Sequence, residues 1–343
     1  MIELRGKIQT VRGLIDPEDL GYTLMHEHIL CDVTPPGKFP PGKPEEEITL
    51  ENVWEINYRW CEHPGNSRLD QEQVAVRELN WAKENGVKTI VELSSIGMKR
   101  NPEGLRRLAE STGLNIIMGC GYYIEEFLPG EVKNLSIEQI EAEIVNDIVN
   151  GSEKSGIRSG IIGEIGCSQS WTDFERKVMR AAIIAQKETG AAINVHPYRS
   201  PDAGLQIIRF IEKHGGDPTR TIISHIDRTI FDIKSVLELA KSGCNIEYDF
   251  FGIETTYYPF QNIDLPNDGI RLKHIRALLD GGYTGQVLIS HDICTKTRQK
   301  TYGGHGYSHI LRNVVPLMKN RGFSNEEIVT ILETNPRRIL TFV

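Results

Sequence analysis

GIIGEIGCSQSWTDFERKVMRAAIIAQKETGAAINVHP, residues 160–197, is the most informative segment of this chain for its fold. It opens with a short, almost wholly apolar run and closes with a second one at 191–197. Between them, apolar residues recur at intervals of three and four until a glycine ends the pattern at 190. Short apolar runs favour buried strands, and the three-and-four spacing favours an amphipathic helix. The segment therefore predicts two parallel strands joined by a helix.

The same alternation of apolar run and helical pattern recurs along the chain. Eight runs predict strands, namely TLMHEH (23–28), KTIVELSS (88–95), NIIMGCGYY (115–123), GIIGEIG (160–166), AAINVHP (191–197), TIISHI (221–226), CNIEYDF (244–250) and QVLISHD (286–292). Eight strand–helix repeats without an internal linker predict an α/β fold, a (β/α)₈ TIM barrel that forms a single domain over residues 1–343. An open, doubly wound sheet is the alternative.

Composition narrows the class of function. The chain has 343 residues, of which 39% are hydrophobic and 25% charged, so it can bury a large core. Its 39 basic and 47 acidic side chains give a net charge of −8, which disfavours nucleic acid or an anionic membrane as the main partner. We expect a small-molecule substrate instead. The sequence leaves open whether the protein is a monomer or a homodimer.

The cellular location is inferred from signals that the sequence lacks. The first ten residues, MIELRGKIQT, contain no apolar core of signal-peptide length, and no apolar run reaches the roughly 18 residues of a spanning helix. The six cysteines are widely spaced and include no Cys-x-x-Cys pair. These features predict a cytoplasmic protein.

A proline-rich segment, CDVTPPGKFPPGKPEEEITL at residues 31–50, follows the first predicted strand. It is unsuited to a helix or a central strand, so we predict a long loop. Loops that follow barrel strands form the rim of the active site, and this one is expected to wall or cover the pocket. A disordered tether is the alternative.

The polar exceptions in the apolar runs fall where the strands leave the barrel, which is where barrel enzymes keep their active sites. His26 and His28 are two residues apart, so an extended strand points both imidazoles to one side. Each histidine taken alone is equally compatible with a hydrogen-bonded core residue. Together they predict a metal centre made of four imidazoles and two carboxylates, because unpaired buried carboxylates are costly. The predicted ligands are His26, His28, Glu164, His196, His225 and Asp292.

Several long strings resemble a known family. GYTLMHEH, INVHPYRS, IISHIDRT and VLISHD resemble, in the same order, the phosphotriesterase family of the amidohydrolase superfamily. The resemblance covers nearly the whole chain. It is closest to the branch called phosphotriesterase-related proteins, through GIIGEIGCS, SHIDRTIFD, IEYDFFG and HDICTKTRQKTYGGHGYSHIL.

The resemblance implies a distorted barrel that holds two divalent metal ions joined by a bridging side chain and a hydroxide. By resemblance, one ion is buried and the other is exposed, with His26, His28 and Asp292 on the buried ion and His196 and His225 on the exposed one. Zinc is the expected metal, and manganese, cobalt or iron are alternatives. The hydroxide would be the nucleophile, and Asp292 would accept and deliver its proton.

The bridging side chain departs from many relatives, in which it is a carboxylated lysine. The fourth run contains no lysine and offers Glu164 instead, one position later than the lysine would fall. Glutamate is the shorter side chain, so the backbone must approach the metals more closely. Gly163 and Gly166 would permit that approach, and the strand is expected to be locally offset.

Residues just past the strand ends are candidates for substrate binding. They are Tyr123, Arg199, Arg228, Lys296 and Arg298. The alternative is that the cations pair with rim carboxylates such as Asp227 or Asp249. His291, next to Asp292, is expected to point to the opposite face of its strand.

The branch that the chain resembles is associated with hydrolysis of N-acetyltaurine to taurine and acetate. We therefore expect an amidohydrolase that acts on this or related N-acyl amino acids, with an anionic substrate held by a basic rim. A lactonase, carboxylesterase or phosphotriesterase is the enzymatic alternative. The remaining alternative is a binding protein without catalytic activity.

Overall fold

The central sheet of the molecule is built from strands that run parallel and follow one another in chain order. The computed structural model describes residues 3–40, 44–152, 155–169 and 171–343. Within these ranges, the sheet has eight strands: β1 (Thr23–Glu27), β2 (Thr89–Glu92), β3 (Asn115–Cys120), β4 (Ile161–Gly166), β5 (Ile193–His196), β6 (Thr221–Ile223), β7 (Asn245–Tyr248) and β8 (Val287–Ile289). Each lies inside one of the eight apolar runs.

The sheet closes where β8 meets β1. The backbone N–H of His26 donates to the hydroxyl of Ser290 at 2.9 Å. The backbone N–H of Asp292 donates to the carbonyl of His26 at 3.0 Å. The barrel is therefore confirmed, and the open sheet is excluded.

Helices follow the strands and cover the outside of the barrel. In the described residues they are α1 (Val53–Tyr58), α2 (Glu72–Glu84), α3 (Pro102–Thr112), α4 (Ile137–Val149), α5 (Asp173–Thr189), α6 (Ala203–Lys213), α7 (Ile233–Ala240), α8 (Asp268–Asp280), α9 (Val315–Asn320), α10 (Asn325–Val329) and α11 (Asn335–Leu340). The helix of the opening segment, α5, begins with a capping box in which Thr172 and Glu175 exchange side-chain and backbone hydrogen bonds. None of these helices is both long and apolar enough to cross a bilayer.

The interior of the barrel holds one apolar cluster. It takes side chains from strands all around the sheet, including Met25, Val91, Ile117, Ile161, Ile222 and Leu288. Side chains from so many strands can contact one another only inside the barrel. Ile8 belongs to the same cluster and lies in an amino-terminal hairpin, Ile8–Thr10 paired with Gly13–Ile15. The apolar side chains fill the inside of the barrel, and the polar residues lie at the carboxyl ends of the strands.

Each strand is shorter than its apolar run, and after β6 and β8 a predicted ligand lies beyond the strand end. β6 ends at Ile223 and β8 at Ile289, so His225 and Asp292 lie beyond the strands and not at their last residues. Both have left-handed backbones, with φ of 54° and 50°. Such residues are uncommon and concentrate at functional sites. Hydrogen bonds stabilise both conformations. The backbone N–H of His225 donates to Asp249, and the backbone N–H of Asp292 donates to a carbonyl of β1.

The segment after β1 forms an irregular loop in the parts that the structure describes. Cys31–Asp32 pairs with Arg68–Leu69 in a short antiparallel ladder. Residues 41–43 of the predicted loop lie outside the described residues. Val33, Pro35 and Lys38 line the main cavity at the carboxyl ends of the strands.

Candidate metal centre

The structure brings all six predicted ligands together at the carboxyl ends of the strands. All are buried, with at most 7% of any residue exposed. The group consists of His26, His28, Glu164, His196, His225 and Asp292. Their contributions come from β1, β4 and β5 and from the turns that follow β1, β6 and β8.

Glu164 lies between two pairs of imidazoles. Its Oε1 is 2.9 Å from Nε2 of His225 and also contacts Nδ1 of His196. Its Oε2 is 3.7 Å from Nε2 of His26 and 3.8 Å from Nε2 of His28. The two carboxylate oxygens therefore face two different histidine pairs, which is the arrangement that a bridging ligand needs.

The backbone around Glu164 is locally offset, as the sequence predicted. In the pairing of β4 with β5, Ile162 faces Ile193 and Ile165 faces Val195, so β4 carries one extra residue. A Cβ atom on Gly163 would lie 2.4 Å from the carbonyl oxygen of Asn194. A Cβ on Gly166 would likewise lie 2.2 Å from the backbone nitrogen of Ile124. Both positions thus require glycine, because the neighbouring backbone is too close for a larger residue.

Hydrogen bonds from outside the cluster orient the two histidines of β1 and its following turn. The Nδ1 of His28 is 3.0 Å from the hydroxyl of Ser94, which in turn contacts Glu92. The Nδ1 of His26 is 3.1 Å from Oε2 of Glu247. Each imidazole therefore presents Nε2 to the centre, as in metal sites whose ligands are held by a carboxylate or hydroxyl.

The two remaining imidazoles are oriented in a similar way. Nδ1 of His225 is 2.9 Å from Oδ1 of Asp249, so its Nε2 faces Glu164. His196 points its Nδ1 to Glu164, and its Nε2 accepts a hydrogen bond of 2.9 Å from Arg228. Asp249 itself accepts the backbone N–H of His225, so it acts on the centre by orienting that histidine.

Asp292 completes the group on the side of β1. Its Oδ1 is 3.3 Å from Nε2 of His28 and 4.0 Å from Nε2 of His26. Arg298 donates to the backbone carbonyl of Asp292 at 2.5 Å. The carboxylate therefore lies beside the first histidine pair.

The two carboxylates of the centre both have a lowered pKa. Burial would raise the pKa of Glu164, but hydrogen bonds with His196 and His225 hold it well below its usual range. Burial likewise opposes ionisation of Asp292, but the hydrogen bond from His28 and nearby imidazole charges lower its pKa to about 2. Both carboxylates are thus ionised at neutral pH.

The donor atoms fit divalent metals. Those of His26, His28 and Glu164 lie within 4.8 Å of one another, and so do those of Glu164, His196 and His225. The two groups share Glu164. Among the described residues, the buried Nε2 of His26 has no hydrogen-bond partner, which is costly unless another atom binds it. Imidazole and carboxylate donors in such groups suit zinc and neighbouring transition metals.

A cavity of about 340 Å³ opens over the centre. Its floor includes His28, Glu164, His196, His225 and Asp292. Among the described residues, its walls carry aromatic side chains and three cations, including Trp60, Tyr123, Phe127, Phe250, Tyr258, Phe260, Lys38, Arg199 and Arg228. This volume suits a small molecule, and the cations suit a negative charge on it.

Three of the five predicted substrate-binding residues line this cavity. The ring of Tyr123 meets the ring of His196 edge to face, with centroids 5.1 Å apart. Arg199 donates from Nε to the hydroxyl of Tyr258 at 2.8 Å. Arg228 lies beside His196, and neither arginine forms an ion pair with Asp227 or Asp249 in the described structure, because Arg271 pairs with Asp227 and the histidines contact Asp249.

The structure does not place Lys296 and Arg298 on the wall of this cavity. They belong to a short 3₁₀ turn, Lys296–Arg298, that runs behind the wall. The guanidinium of Arg298 stacks on Trp60 at 4.0 Å and reaches the backbone of Asp292. The Nζ of Lys296 lies 3.8 Å from Glu45.

Sequence reasoning missed the role of the residues that orient the ligands, including Glu27, Glu92, Ser94, Ser224, Glu247 and Asp249. All are buried and polar. The signal was available, because each is a polar residue within or beside one of the apolar runs. Three aromatic residues of the cavity wall had no such signal, since Trp60, Tyr258 and Phe260 lie in segments without periodicity.

An eight-stranded barrel with buried imidazoles and carboxylates at the carboxyl ends of its strands defines the class of metal-dependent barrel hydrolases. Residues 6–340 match the phosphotriesterase family. The chain belongs to this family of metal-dependent hydrolases, and a small-molecule substrate fits such an enzyme.

Individual relatives support this assignment. The chain is 43% identical to the N-acetyltaurine hydrolase of Homo sapiens over 348 residues, covering 100% of both chains. Among solved structures, it resembles a resiniferatoxin-binding protein from Rhodobacter sphaeroides, with a TM-score of 0.92, 32% identity and coverage of 98% of this chain and 96% of the other. It also resembles the phosphotriesterase homology protein of Escherichia coli complexed with phosphate in its active site, with a TM-score of 0.78, 28% identity and coverage of 95% and 100%.

Proposed function

We propose that this protein hydrolyses N-acetyltaurine, or a closely related N-acyl amino acid, at a centre of two divalent metal ions. The observation that carries the proposal is the position of Glu164, whose two carboxylate oxygens face two different histidine pairs. The substrate follows from the full-length similarity to N-acetyltaurine hydrolases and from the cations on the cavity wall.

The residues would divide between two ions according to their positions around Glu164. One group would hold the buried ion and the other the exposed ion, with Glu164 shared between them. The buried group is His26, His28 and Asp292, and the exposed group is His196 and His225. Zinc is our proposed metal because imidazole nitrogen dominates the donor set. The bound ions would polarise the acyl carbonyl and make water acidic enough to attack it at neutral pH.

Asp292 is the residue that we assign to proton transfer. It is ionised and lies at the cavity floor, so it can accept a proton from the attacking water. The water oxygen bonds to the acyl carbon, the carbon–nitrogen bond breaks, and Asp292 returns the proton to the leaving nitrogen. The remaining proton of the water passes from the new carboxyl group to the amine, so the products are acetate and the ammonium form of the amine, and the carboxylate of Asp292 is restored.

The cavity wall would select the rest of the substrate. Arg228 and Arg199 supply positive charge for a sulfonate, and oxyanions bind well to guanidinium forks. Tyr123 packs against His196 and would border the acyl group. Lys296 and Arg298 would contribute only through the wall that they support.

We also propose that residues 1–343 form one barrel domain in which segment 31–50 walls the active site. Val33, Pro35 and Lys38 of that segment line the cavity, which supports this role. A cytoplasmic protein without a nucleic-acid or membrane partner remains our prediction, and the net charge of −8 supports it. A homodimer or a monomer is compatible with it.

A hydrolysis panel tests the proposal. Purified protein reconstituted with zinc is assayed on N-acetyltaurine, N-acetyl-β-alanine, several N-acetyl amino acids, a lactone and a phosphotriester. We expect the highest kcat/KM for N-acetyltaurine and loss of activity after metal chelation. Preference for the lactone or phosphotriester would replace the proposed substrate, and activity that survives complete metal removal would refute the metal mechanism.

A further inference from the structure

Arg228 has an unusual set of partners for a buried cation. Only 2% of the residue is exposed. Its Nη2 donates to the carbonyl of Pro197 at 3.0 Å and to Nε2 of His196 at 2.9 Å. Its Nη1 is buried and has no hydrogen-bond partner among the described residues.

No carboxylate of the described structure forms an ion pair with Arg228. Arg271, which is also fully buried, pairs with both Asp227 and Asp268. A buried guanidinium without a counter-ion is unfavourable. Because Arg228 lines the cavity, an anionic ligand there can supply the missing partner.

The hydrogen bond between Arg228 and His196 also fixes where His196 carries its hydrogen. A neutral imidazole has one N–H and one acceptor nitrogen, and a guanidinium only donates. Since Nε2 accepts from Arg228, the hydrogen lies on Nδ1, which contacts Glu164. A cation on Nδ1 needs the lone pair of that nitrogen. The hydrogen then lies on Nε2, where it faces the N–H of Arg228, and the hydrogen bond is lost.

We propose that Arg228 binds the anionic group of the substrate and that a metal ion on His196 makes it available by breaking its hydrogen bond to Nε2. This inference rests on the proposed function, which assigns a metal to Nδ1 of His196. Nη2 can keep its bond to Pro197, while Nη1 and the released N–H of Nη2 serve a sulfonate or carboxylate. Anion binding and metal binding are thus coupled through one residue.

Coupling of this kind is reciprocal. If the metal raises the affinity for an anion by some factor, the anion raises the affinity for the metal by the same factor. The metal also attracts anions directly, without Arg228. The contribution of Arg228 is therefore the difference in metal–anion coupling between wild-type protein and a variant without the guanidinium.

The test measures binding and not turnover. Taurine and methanesulfonate are titrated by calorimetry into wild-type protein and into Arg228→Met, each stripped of metal and reconstituted with zinc. We expect zinc to raise the affinity for these sulfonates at least about tenfold more in wild type than in the variant. In competition with a zinc chelator, taurine should raise zinc affinity by the same excess factor in wild type.

Arg199→Met is the matched control, because it removes another cavity cation that does not contact a predicted ligand. It should weaken sulfonate binding without reducing the coupling. Arg228→Lys keeps the buried charge but not the fork, and it replaces Arg228→Met if that variant does not fold; its coupling should fall below that of wild type. Equal zinc-induced gains in wild type and both Arg228 variants, or equal loss of coupling in Arg199→Met, would overturn the inference.

The outcomes separate this inference from the proposed function. Zinc-coupled sulfonate binding through Arg228 without hydrolysis of N-acetyltaurine would refute the proposed substrate and support the role of Arg228. Hydrolysis of N-acetyltaurine without the coupling would support the substrate and refute the role of Arg228.

Discussion

The carboxylate of Glu27 holds the backbone on both sides of Asp292. Its Oε1 accepts the backbone N–H of His291 at 3.0 Å and the hydroxyl of Ser290 at 2.8 Å. Its Oε2 accepts the backbone N–H of Ile293 at 3.0 Å. One side chain of β1 thus fixes the left-handed turn that carries Asp292 to the cavity floor.

Replacing Glu27 by glutamine should impair catalysis without unfolding the barrel. Glutamine has one acceptor oxygen and one NH₂ group in place of the two carboxylate oxygens. The NH₂ group would face a backbone N–H, and two donors cannot form a hydrogen bond. The turn around Asp292 would therefore lose part of its hydrogen bonding. We expect kcat for N-acetyltaurine to fall by about 10–100-fold, the usual effect of residues that orient metal ligands. KM should change much less, because Glu27 does not line the cavity.

The matched control is Glu103→Gln, the same change on the exposed side of α3. It should leave both constants within twofold of wild type, a range expected for surface changes of this kind. A Glu27→Gln enzyme with normal kcat would show that the turn keeps its shape without the carboxylate.

The Asp292→Asn enzyme should fold and bind metal but turn over slowly. Asparagine keeps the shape and one oxygen donor, but it cannot accept a proton from water. We expect kcat to fall by about 10²–10⁴-fold, the usual contribution of a general base. Circular dichroism and elemental analysis should show normal folding and metal content. Near-normal turnover would remove Asp292 from proton transfer.

A buried ion-pair cluster at Arg271 should dominate the stability of the rim after β6 and β7. Arg271 pairs with Asp227 at 2.5 Å and with Asp268 at 2.8 Å, and all three are buried. Arg271→Met leaves buried Asp227 without its cation and leaves Asp268 paired with His309. It should therefore lower the free energy of unfolding by about 3–5 kcal/mol. Urea unfolding measures the change.

The comparison for that variant is Arg276→Met, which removes an arginine from the same helix, α8. Arg276 pairs with Asp280 and Glu327 near the surface. Its loss should cost less than about 1 kcal/mol, because solvent screens exposed pairs. Equal costs for the two variants would contradict the role of burial.

Glu92→Gln should change how stability depends on pH in the metal-free protein. Burial raises the pKa of Glu92 from 4.5 to about 7, although nearby His28 and the hydroxyl of Ser94 partly oppose this. The folded state therefore keeps a proton that the unfolded state loses, and the stabilising effect, complete below pH 4.5, disappears as the pH rises to about 7.

Glutamine does not titrate, so the stability of Glu92→Gln relative to wild type should increase between pH 4.5 and about 7 and then level off. Urea unfolding of chelator-treated proteins at several pH values measures this difference. A difference that is independent of pH would show that Glu92 is not protonated in the folded state.

The barrel and the grouping of the six candidate ligands could be predicted because both follow from local patterns. Each strand is a near-continuous apolar run, and residues such as His196 and Glu164 are polar exceptions to it. The conformations of His225 and Asp292 could not be predicted, because their left-handed backbones depend on hydrogen bonds from other strands. The position of Lys296 outside the cavity wall could not be predicted from the pattern either, because the path of a rim turn depends on the loops around it.

Zinc alone should restore the metal centre, without carbon dioxide. A carboxylated lysine forms only when carbon dioxide or bicarbonate is present, whereas Glu164 supplies both oxygens from its own side chain. Its two oxygens already face the two histidine pairs. Metal-free protein reconstituted in carbonate-depleted buffer should therefore recover the same activity and zinc content as protein given bicarbonate. A tenfold stimulation by bicarbonate would mean that another residue forms the bridge.

The Glu164→Gln enzyme tests the same bridge from the other side. An amide keeps a single neutral acceptor oxygen, so it can serve one histidine pair but not both, and it removes a negative charge that offsets two dications. Zinc content measured by elemental analysis should fall from two ions per chain to one or fewer, and added bicarbonate should not restore it. Retention of two ions would show that the histidines and Asp292 hold both metals without a charged bridge, and Glu164 would then lose its central role.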